Sequence, residues 1–326
     1  MKSTKLPSWI ERLLGLDPLP APPHVFAIDS EAIRYGSVRR GQQGFIFEAY
    51  RVETLEPGLL TDGVTGATVG DRAALAATVK GFVGGLPGPF KEASLLLPDT
   101  WLRLLFAELE ELPTKRQTRD DILRWKLERL VPYAVDDLRI SAVSIAPLPD
   151  QAEPVRVLLG FAPESLVGPI ESAFAEAGVT LGQITNVTLA ALTGVTDQLA
   201  EGEVAALVLA AESGYTISMV RDGEPLLYRY KELAGEMAVT QRAATVRRDL
   251  RLTASFARER LGSEPARVFV AAPHALEPEW LTWLDDELGV ASEPLGNNHL
   301  NLGRVPADLP WDEVAAMYGA AASEVF

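Results

Sequence analysis

The same order of short apolar runs occurs twice along this chain, and this repeat constrains the fold more than any single motif. In the first copy, HVFAI and AIRYGSV are separated only by Asp29, Ser30 and Glu31, and FIFEAYRV follows. In the second copy, VAALVLAA, YTISMV and EPLLYRY succeed one another. Runs this short and this close together are typical of antiparallel meanders. Because helical segments and another compact apolar run follow each meander, the sequence predicts an α/β protein with two similar halves.

Turn and helix signals support this division. Asp222 and Gly223 separate two strands of the second meander, and an Asp-Gly pair favours a type I′ hairpin, whose two central residues both need positive φ. In the first half, the helical segment DRAALAATVKGFV precedes the buried run ASLLLP. In the second half, a long helix is predicted for AVTQRAATVRRDLRLTASFARERL, a strand for RVFVAA, and a final helix for WDEVAAMYGAAASEV.

A smaller alternation of elements lies between the two halves. RLLFAELEEL predicts a strand, and TRDDILRWKLERLV predicts a helix with capping-box spacing at Thr118 and Asp121. RISAVSIAPL and VRVLLGFA predict paired strands, and PESLVGPIESAFAEA predicts a helix closed by Gly178. We expect this β-α-β-β-α run to form an inserted subdomain. The expected division is 1–23 as N-terminal segment and Pro-rich linker, 24–103 with 185–202 as first half, 104–184 as inserted subdomain, and 203–326 as second half.

The N-terminal segment LPSWIERLLGL has its apolar residues at helical spacing, before the Pro-rich stretch PLPAPP. Two interpretations stay open for this segment. It could be a short helix that docks on the body of the protein or on a partner, or it could be an anchor on a membrane surface. Its apolar positions are Trp9, Ile10, Leu13 and Leu14.

Charge and cysteine content exclude several function classes. The chain has 45 acidic residues against 30 lysines and arginines, a net charge of −15, so its field repels phosphate backbones and nucleic acid is not an expected partner. It has no cysteine, and its three histidines, His24, His274 and His299, lie far apart in sequence. No metal site is therefore expected. The apolar runs are too short to cross a bilayer, and no signal peptide precedes them, which predicts a cytoplasmic protein.

Several blocks of the sequence resemble PilM-like proteins of type IV pilus assembly and, more distantly, the cytoplasmic part of type II secretion L proteins. The best match is LLPDTWLRLLFAELEELP with DDILRWKLERLVPYAVDDLRISAVSI. VRDGEPLLYRY, RRDLRLTASFARERLGSEPARVFVAA and AAMYGAAASEV match later family blocks in order. The resemblance implies an actin-like fold, in which two ribonuclease H-like halves face each other across a cleft and carry the small inserted subdomain.

The resemblance also allows the nucleotide-binding loops to be compared. Actin-like folds hold ATP between their halves with two hairpin loops whose backbone N–H groups wrap the phosphates, and an Asp near each loop serves Mg²⁺. In the first loop Asp29 is present, but Ser30 and Glu31 lead directly into the next strand, so the loop is short and lacks glycine. The Glu31 carboxylate would also oppose phosphate oxygens. Asp29 is then expected to be a turn residue whose carboxylate caps local N–H groups.

The other two nucleotide segments depart from the family pattern as well. The second loop keeps Ser213, Gly214 and Thr216, whereas Leu209 and Ala211 stand where the family has Asp and Gly. In the adenosine segment, a Gly-Gly turn is replaced by Val270, Ala271, Ala272, Pro273 and His274. Three changes in segments that converge on one ligand predict a degenerate site with no cofactor, and hence a pseudo-ATPase rather than an enzyme. An ATP-binding switch of the same machinery and an unrelated actin-like-fold enzyme are the alternatives.

The resemblance implies a scaffold at the cytoplasmic face of the inner membrane. Such a protein holds the N-terminal tail of a PilN-like bitopic membrane protein in a groove beside the inserted subdomain, and so joins the membrane through its partner. Trp125, Pro132 and Tyr133 are the candidate groove residues; alternatively, Trp125 and Tyr133 fill the core of the subdomain. Pilus and secretion machineries both fit, a homo-oligomer is an open alternative, and Phe326 could precede a further transmembrane region.

Acid–base pairs are the remaining enzymatic option. Glu108, Glu110 and Glu111, or Asp136 and Asp137, could be imagined as such pairs, but adjacent carboxylates are usually a solvated face. An arginine-rich stretch of the long helix is expected to be an exposed, ion-paired face. Its arginines are Arg247, Arg248, Arg251, Arg258 and Arg260.

Overall fold

The structure is a computed structural model that describes residues 19–41, 44–62, 67–131, 134–147, 154–196, 198–233, 237–305 and 309–325. The predicted N-terminal helix around Trp9 lies outside the described residues. So do Pro132 and Tyr133, two of the three candidate groove residues, and Phe326.

The first half begins with the predicted meander, followed by a helix and a buried strand. Asp71 starts this helix by accepting hydrogen bonds from the N–H groups of Ala73 (2.9 Å) and Ala74 (3.0 Å), which would otherwise lack partners. The elements are β1 (Leu19–Pro20), β2 (His24–Ile28), β3 (Ala32–Gly41), β4 (Gly44–Thr54), β5 (Leu60–Thr61), β6 (Thr68–Val69), α1 (Arg72–Gly84) and β7 (Glu92–Leu97).

A three-stranded antiparallel sheet with one helix follows. Its strand order is β8-β10-β9, and α2 packs on one face through Leu123 and Leu127. The helix begins at Arg116 after Lys115, whose side chain makes no capping hydrogen bond. The capping box predicted at Thr118 is therefore wrong, because Thr118 lies inside the helix. The elements are β8 (Arg103–Leu109), α2 (Arg116–Glu128), β9 (Leu138–Ser144) and β10 (Val155–Pro163).

The next helix and strand return to the first sheet. The helix α3 (Glu164–Glu176) packs against α1, and its Phe174 ring lies 4.8 Å from that of Phe26 on β2. The strand β11 (Thr180–Asn186) then pairs in parallel with β7, and α4 (Val187–Thr196) follows. By these contacts the inserted unit comprises β8, α2, β9 and β10. The boundary predicted at residue 184 would cut through β11. The helix α3, which that division assigns to the inserted subdomain, shares the core of the first sheet.

The second half repeats the first in its order of elements. At the predicted β-hairpin, Asp222 has a φ of 51° and Gly223 a φ of 80°, which confirms that both central turn residues take positive φ. The long helix continues into one turn of π-helix over Ala257–Leu261. The elements are β12 (Val204–Ala210), β13 (Gly214–Arg221), β14 (Glu224–Glu232), α5 (Val239–Phe256), β15 (Arg267–Ala271), α6 (Glu277–Leu288), β16 (Ser292–Pro294), β17 (Leu302–Arg304), α7 (Trp311–Ala322) and β18 (Glu324–Val325).

The two large sheets have the same topology. The first has the order β11-β7-β2-β3-β4, extended at one edge by β17, and the second has the order β14-β13-β12-β15-β16. In each, the meander strands are antiparallel, and the first of them also pairs in parallel with the strand that follows the first helix of that half. This duplication confirms the predicted actin-like arrangement of two ribonuclease H-like halves.

The helices α4 and α7 fill the core between the two sheets, and two glycines let them approach closely. A Cβ atom added at Gly319 would lie 1.8 Å from the Ala190 carbonyl oxygen, and one added at Gly194 would lie 2.8 Å from the Ala315 carbonyl oxygen. Side chains of both sheets join this core, including Val25 of β2 and Leu207 of β12. The cleft between the two hairpin loops opens beside this core.

Candidate functional site: the cleft between the halves and the groove beside the inserted sheet

A cavity of about 340 Å³ lies between the first hairpin turn of each half. Of the predicted nucleotide residues, the cavity brings together six: Asp29, Leu209, Ala211, Ser213, Gly214 and Thr216. Its other lining residues include Arg34, Asp99, Tyr230, Asp312 and Glu313.

The first hairpin turn uses its own backbone donors internally. Oδ1 of Asp29 accepts hydrogen bonds from the N–H groups of Glu31 and Ala32, both at 2.8 Å. The N–H of Asp29 in turn donates to the carbonyl of Ala32 at 3.1 Å. These bonds confirm that Asp29 is a capping turn residue. They also occupy N–H groups of the kind that a phosphate would need.

The other carboxylate oxygen of Asp29 is held by a cation. Oδ2 accepts from Nη1 of Arg34 at 2.6 Å, and Nε of Arg34 lies 3.0 Å from Glu313 on α7. The hydroxyl of Tyr50 donates to the same Glu313 carboxylate. Burial raises the pKa of Glu313 above its usual range. The Asp29 carboxylate is therefore part of an ion-paired network that joins the first hairpin to α7.

The second hairpin turn offers no carboxylate at the position the family pattern requires. Leu209 and Ala211 line the cavity there, and the N–H of Ala211 donates to the carbonyl of Gly214 at 2.8 Å. A Cβ atom at Gly214 would lie 2.7 Å from the carbonyl oxygen of Lys231 on the neighbouring strand. This close approach requires a glycine for packing alone, so its retention is no evidence for phosphate binding.

Asp99 is the cleft residue that sequence reasoning missed. It follows β7, and its carboxylate accepts hydrogen bonds from Thr188 (2.7 Å), Tyr228 (2.7 Å) and Thr216 (3.3 Å). Burial raises the pKa of Asp99 above its usual range. Thr188 belongs to α4, whereas Thr216 and Tyr228 belong to the second sheet, so this one carboxylate ties the two halves together. The only local signal was an Asp two residues after a buried strand.

The remaining predicted cleft residues do not line this cavity. The hydroxyl of Ser30 donates to Asp62 at 2.7 Å, and the indole of Trp101 donates to the same carboxylate at 2.6 Å. Ala271 ends β15 in the core between the halves, and Ala272 packs against the core of the second half. Among the described residues, no group of three or more histidine, aspartate or glutamate side chains is placed to hold a metal ion.

A second concave surface lies between the inserted sheet and the first half. Strand alternation produces it: Val157 and Leu159 of β10 pack under α2, whereas Leu158 and Gly160 face the opposite side. The resulting groove encloses about 370 Å³. It is lined by Leu102, Leu104, Arg139, Ser141, Val143, Leu158, Gly160, Phe161, Ala162, Val167, Glu171, Leu181, Gly182, Ile184, Thr185 and Leu189.

Trp125 does not line this groove. Its side chain on α2 is 51% exposed, and the guanidinium of Arg129 lies 4.0 Å from its ring centre. The interpretation that Trp125 fills the subdomain core is therefore wrong. It borders a separate shallow depression together with Val131 and Ala134. In the part of the chain that the structure describes, no helix is both long and apolar enough to span a bilayer.

Comparison with known proteins supports the fold assignment. No protein-family model and no curated protein matches the sequence. A solved PilM-PilN type IV pilus biogenesis complex is similar with a TM-score of 0.69 at 18% identity, over 94% of this chain and 98% of that one. The cytoplasmic domain of EpsL, an inner-membrane component of the Vibrio cholerae type II secretion system, gives a TM-score of 0.47 at 12% identity, over 92% and 94% of the two chains. The expected resemblance to PilM is thus confirmed at the level of the fold.

Proposed function

We propose that this chain is a cytoplasmic adaptor of a type IV pilus or type II secretion assembly platform, peripheral to the inner membrane. In this role it binds the N-terminal cytoplasmic tail of a PilN-like bitopic membrane protein. The observation that carries the proposal is the similarity, along nearly the whole chain, to the PilM-PilN complex. The groove between the inserted sheet and the first half is the proposed place for the tail.

The groove suits an extended peptide. Its floor is largely apolar, with Leu104, Leu158 and Ile184 among its lining side chains. Gly160 leaves space in the middle of the floor, because a Cβ atom there would only touch Leu104 and Leu102 at ordinary distances of 3.5 and 3.8 Å. Preformed grooves capture extended segments through side-chain pockets and main-chain hydrogen bonds.

The polar chemistry of the cleft supports an adaptor rather than an ATPase. The N–H groups of Glu31 and Ala32 already have an acceptor in Asp29, and the Asp29 carboxylate is already paired with Arg34. The phosphates of a nucleotide would have to displace these hydrogen bonds. They would also have to share Arg34 with Asp29. We propose that the cleft has become a structural joint that binds no nucleotide.

The test is a calorimetric titration of the protein with a synthetic peptide copied from the cytoplasmic tail of the PilN-like protein of the same organism. Gly160→Leu fills the groove floor and is expected to abolish binding. Gly81→Leu is the matched control, because Gly81 is exposed on α1 and a Cβ atom there has no neighbour within 4 Å. Wild type and Gly81→Leu should bind with equal affinity.

Two further variants test Trp125 and Tyr133, which the sequence predicts on or beside the partner groove. Trp125→Ala and Tyr133→Ala should weaken tail binding by more than about 1 kcal/mol if these rings are interface anchors. Such a loss, with full binding by Gly160→Leu, would place the tail at these predicted residues rather than in the groove floored by Gly160. No binding by folded wild-type protein would refute the adaptor proposal itself.

A further inference from the structure

A second groove runs along the outer edge of β8, on the side that meets the second half. It encloses about 470 Å³ and shares no lining residue with the proposed tail groove. β8 and β14 are edge strands of their sheets and contact each other here. Arg156 of β10 lies over the Phe106 ring of β8, and its guanidinium donates to the carbonyl of Leu226 on β14. The groove is therefore a built feature of the contact between the inserted sheet and the second half.

Large apolar side chains are exposed at this groove. Phe256 of α5 is 40% exposed and Leu130, just after α2, is 48% exposed, and both line it. Leu252, one turn before Phe256 on α5, is 52% exposed. Soluble proteins rarely leave neighbouring large apolar side chains in water unless a partner covers them. The turn of π-helix that follows Phe256 is also a geometry found often at functional sites.

The groove is also basic, although the protein as a whole is acidic. Four cations line it, Lys126, Arg156, Arg229 and Arg260, against the single carboxylate of Glu108. Arg229 is paired with Asp249 at 2.9 Å. Among the described residues, the other three have no carboxylate within salt-bridge distance.

Three arginines of α5 and of the π-helical turn after it are ion-paired. Arg247 and Arg251 pair with Glu287, and Arg258 pairs with Glu264, which confirms the predicted ion-paired face for these three. Arg260 projects to the groove without such a partner. Arg156 is buried beside the Phe106 ring, 4.3 Å from its centre. The carboxylates of Glu108 and Glu224 act on Arg156 electrostatically from beyond salt-bridge distance, so the cations left for a partner are Lys126 and Arg260.

The charge pattern selects among occupants. The chain's own residues 1–18 carry Lys2, Lys5 and Arg12 against Glu11 and Asp17, so that segment has the wrong sign. Two copies of a protein with a net charge of −15 repel each other at long range. A flat anionic membrane would meet the same repulsion and could not enter a concave groove. An acidic peptide segment with bulky apolar side chains satisfies both the cations and the exposed rings.

We propose that the groove along β8 is a docking site for an acidic, apolar-anchored segment of a second partner protein, distinct from the membrane-protein tail. Acidic side chains of this segment would meet Lys126 and Arg260, and its apolar anchors would cover Phe256 and Leu130. This site does not depend on the proposed function, because it uses none of the residues of the tail groove.

The probe is a fluorescein-labelled synthetic peptide, acetyl-EELFEELLDE-amide, titrated against full-length protein by fluorescence anisotropy. We expect saturable binding that weakens as salt is raised. Binding should be at least about tenfold tighter than that of two control peptides, one with repulsive charges and one without the apolar anchors. The charge-reversed control is acetyl-KKLFKKLLRK-amide, and the control without apolar anchors is acetyl-EEGSEEGSDE-amide.

Protein variants locate the site. Arg260→Glu, Lys126→Glu and Phe256→Ser should each weaken probe binding by about tenfold or more. Arg248→Glu is the matched control, because it makes the same charge change at an exposed position of α5 that does not line the groove. Gly160→Leu should leave probe binding unchanged, which separates this result from any failure of the tail-binding proposal.

Four results would overturn the proposal. The first is absence of saturable binding by wild type, and the second is equal binding of the charge-reversed peptide. The third concerns a second copy: if sedimentation shows concentration-dependent self-association that Arg260→Glu removes, the groove belongs to an interface between copies of this chain. Equal losses in Arg248→Glu and Arg260→Glu would likewise show a general charge effect rather than a site.

Discussion

The capping role of Asp29 leads to a quantitative prediction that separates a turn residue from a magnesium ligand. Asp29→Ala removes the acceptor for two backbone N–H groups and the partner of Arg34. Asp29→Asn keeps a side-chain oxygen that can accept from both N–H groups and removes only the charge. The two variants should therefore differ in stability.

The magnitudes follow from the contacts. Loss of a capping Asp, Asn, Ser or Thr typically costs about 0.5–2 kcal/mol. The ion pair with Arg34 is only partly shielded, with the Asp29 side chain 32% exposed, so we assign it no more than about 1 kcal/mol. Glu313 still pairs with Arg34 in either variant. We expect Asp29→Ala to lower the free energy of unfolding by about 2 kcal/mol and Asp29→Asn by less than about 1 kcal/mol.

Urea unfolding followed by tryptophan fluorescence measures both values, provided that the slope of free energy against urea is unchanged. The same proteins are then heated with and without Mg-ATP. If Asp29 is structural, the variants differ from each other in stability, and neither differs from wild type in its response to nucleotide. Equal, negligible losses for both variants would refute the capping argument. A nucleotide-induced stabilisation that disappears in Asp29→Asn would show that this carboxylate serves Mg²⁺ after all.

Three other predictions address the cleft and the contact between the halves. Wild-type protein should show no thermal stabilisation by millimolar Mg-ATP, whereas a bound ligand at 100 times its dissociation constant would add about 2.7 kcal/mol to the free energy of unfolding. A micromolar dissociation constant for Mg-ATP, measured by calorimetry, would contradict this prediction. Burial raises the folded-state pKa of Asp99, so its protonation stabilises the fold fully below the unfolded-state pKa and this contribution is lost as pH rises through the folded-state value. Wild type should thus lose stability relative to Asp99→Asn as the pH rises above about 4, the ordinary pKa of an aspartate. A difference that stays constant with pH would refute the assignment. Gly319→Ala should lower the free energy of unfolding by about 1–3 kcal/mol, because its Cβ atom would collide with the Ala190 carbonyl. Gly81→Ala, on an exposed helix surface, should be neutral or stabilise the fold by up to about 1 kcal/mol. Thermal unfolding of both variants tests this difference.

The parts of the fold that could be predicted are those fixed by neighbours in sequence. The meanders follow from short apolar runs with tight turns, and the turn at Asp222 and Gly223 has the positive φ values that its residue types favour. The helical pattern of α3 was equally readable. Which sheet α3 covers was not, because that depends on the contact of Phe174 with Phe26, in a distant part of the chain. Local pattern specifies an element, whereas its partner is chosen by tertiary packing.

The candidate site divides in the same way. Asp29 caps N–H groups two and three residues ahead, so its role could be inferred from the turn alone. Asp99 accepts hydrogen bonds from hydroxyl groups that lie 89, 117 and 129 positions away in sequence. No local sequence pattern identifies donors that far apart. The capping box at Thr118 failed for the opposite reason. A plausible local signal was present, but the helix begins earlier, at Arg116.

The polar groups of the cleft favour a joint over a ligand site for an energetic reason. A ligand that enters must replace bonds that the protein already makes, and a buried group left without its partner costs about 1–3 kcal/mol. Displacing Arg34 would leave Asp29 and Glu313 as neighbouring carboxylates without their shared cation. Separating the halves would strip Asp99 of Thr216 and Tyr228 while it stays bonded to Thr188. Both penalties oppose the opening and closing that a nucleotide cycle needs, and so hold the two halves in a fixed arrangement. An adaptor that presents preformed grooves benefits from this rigidity, since a preorganised surface loses less entropy when it binds.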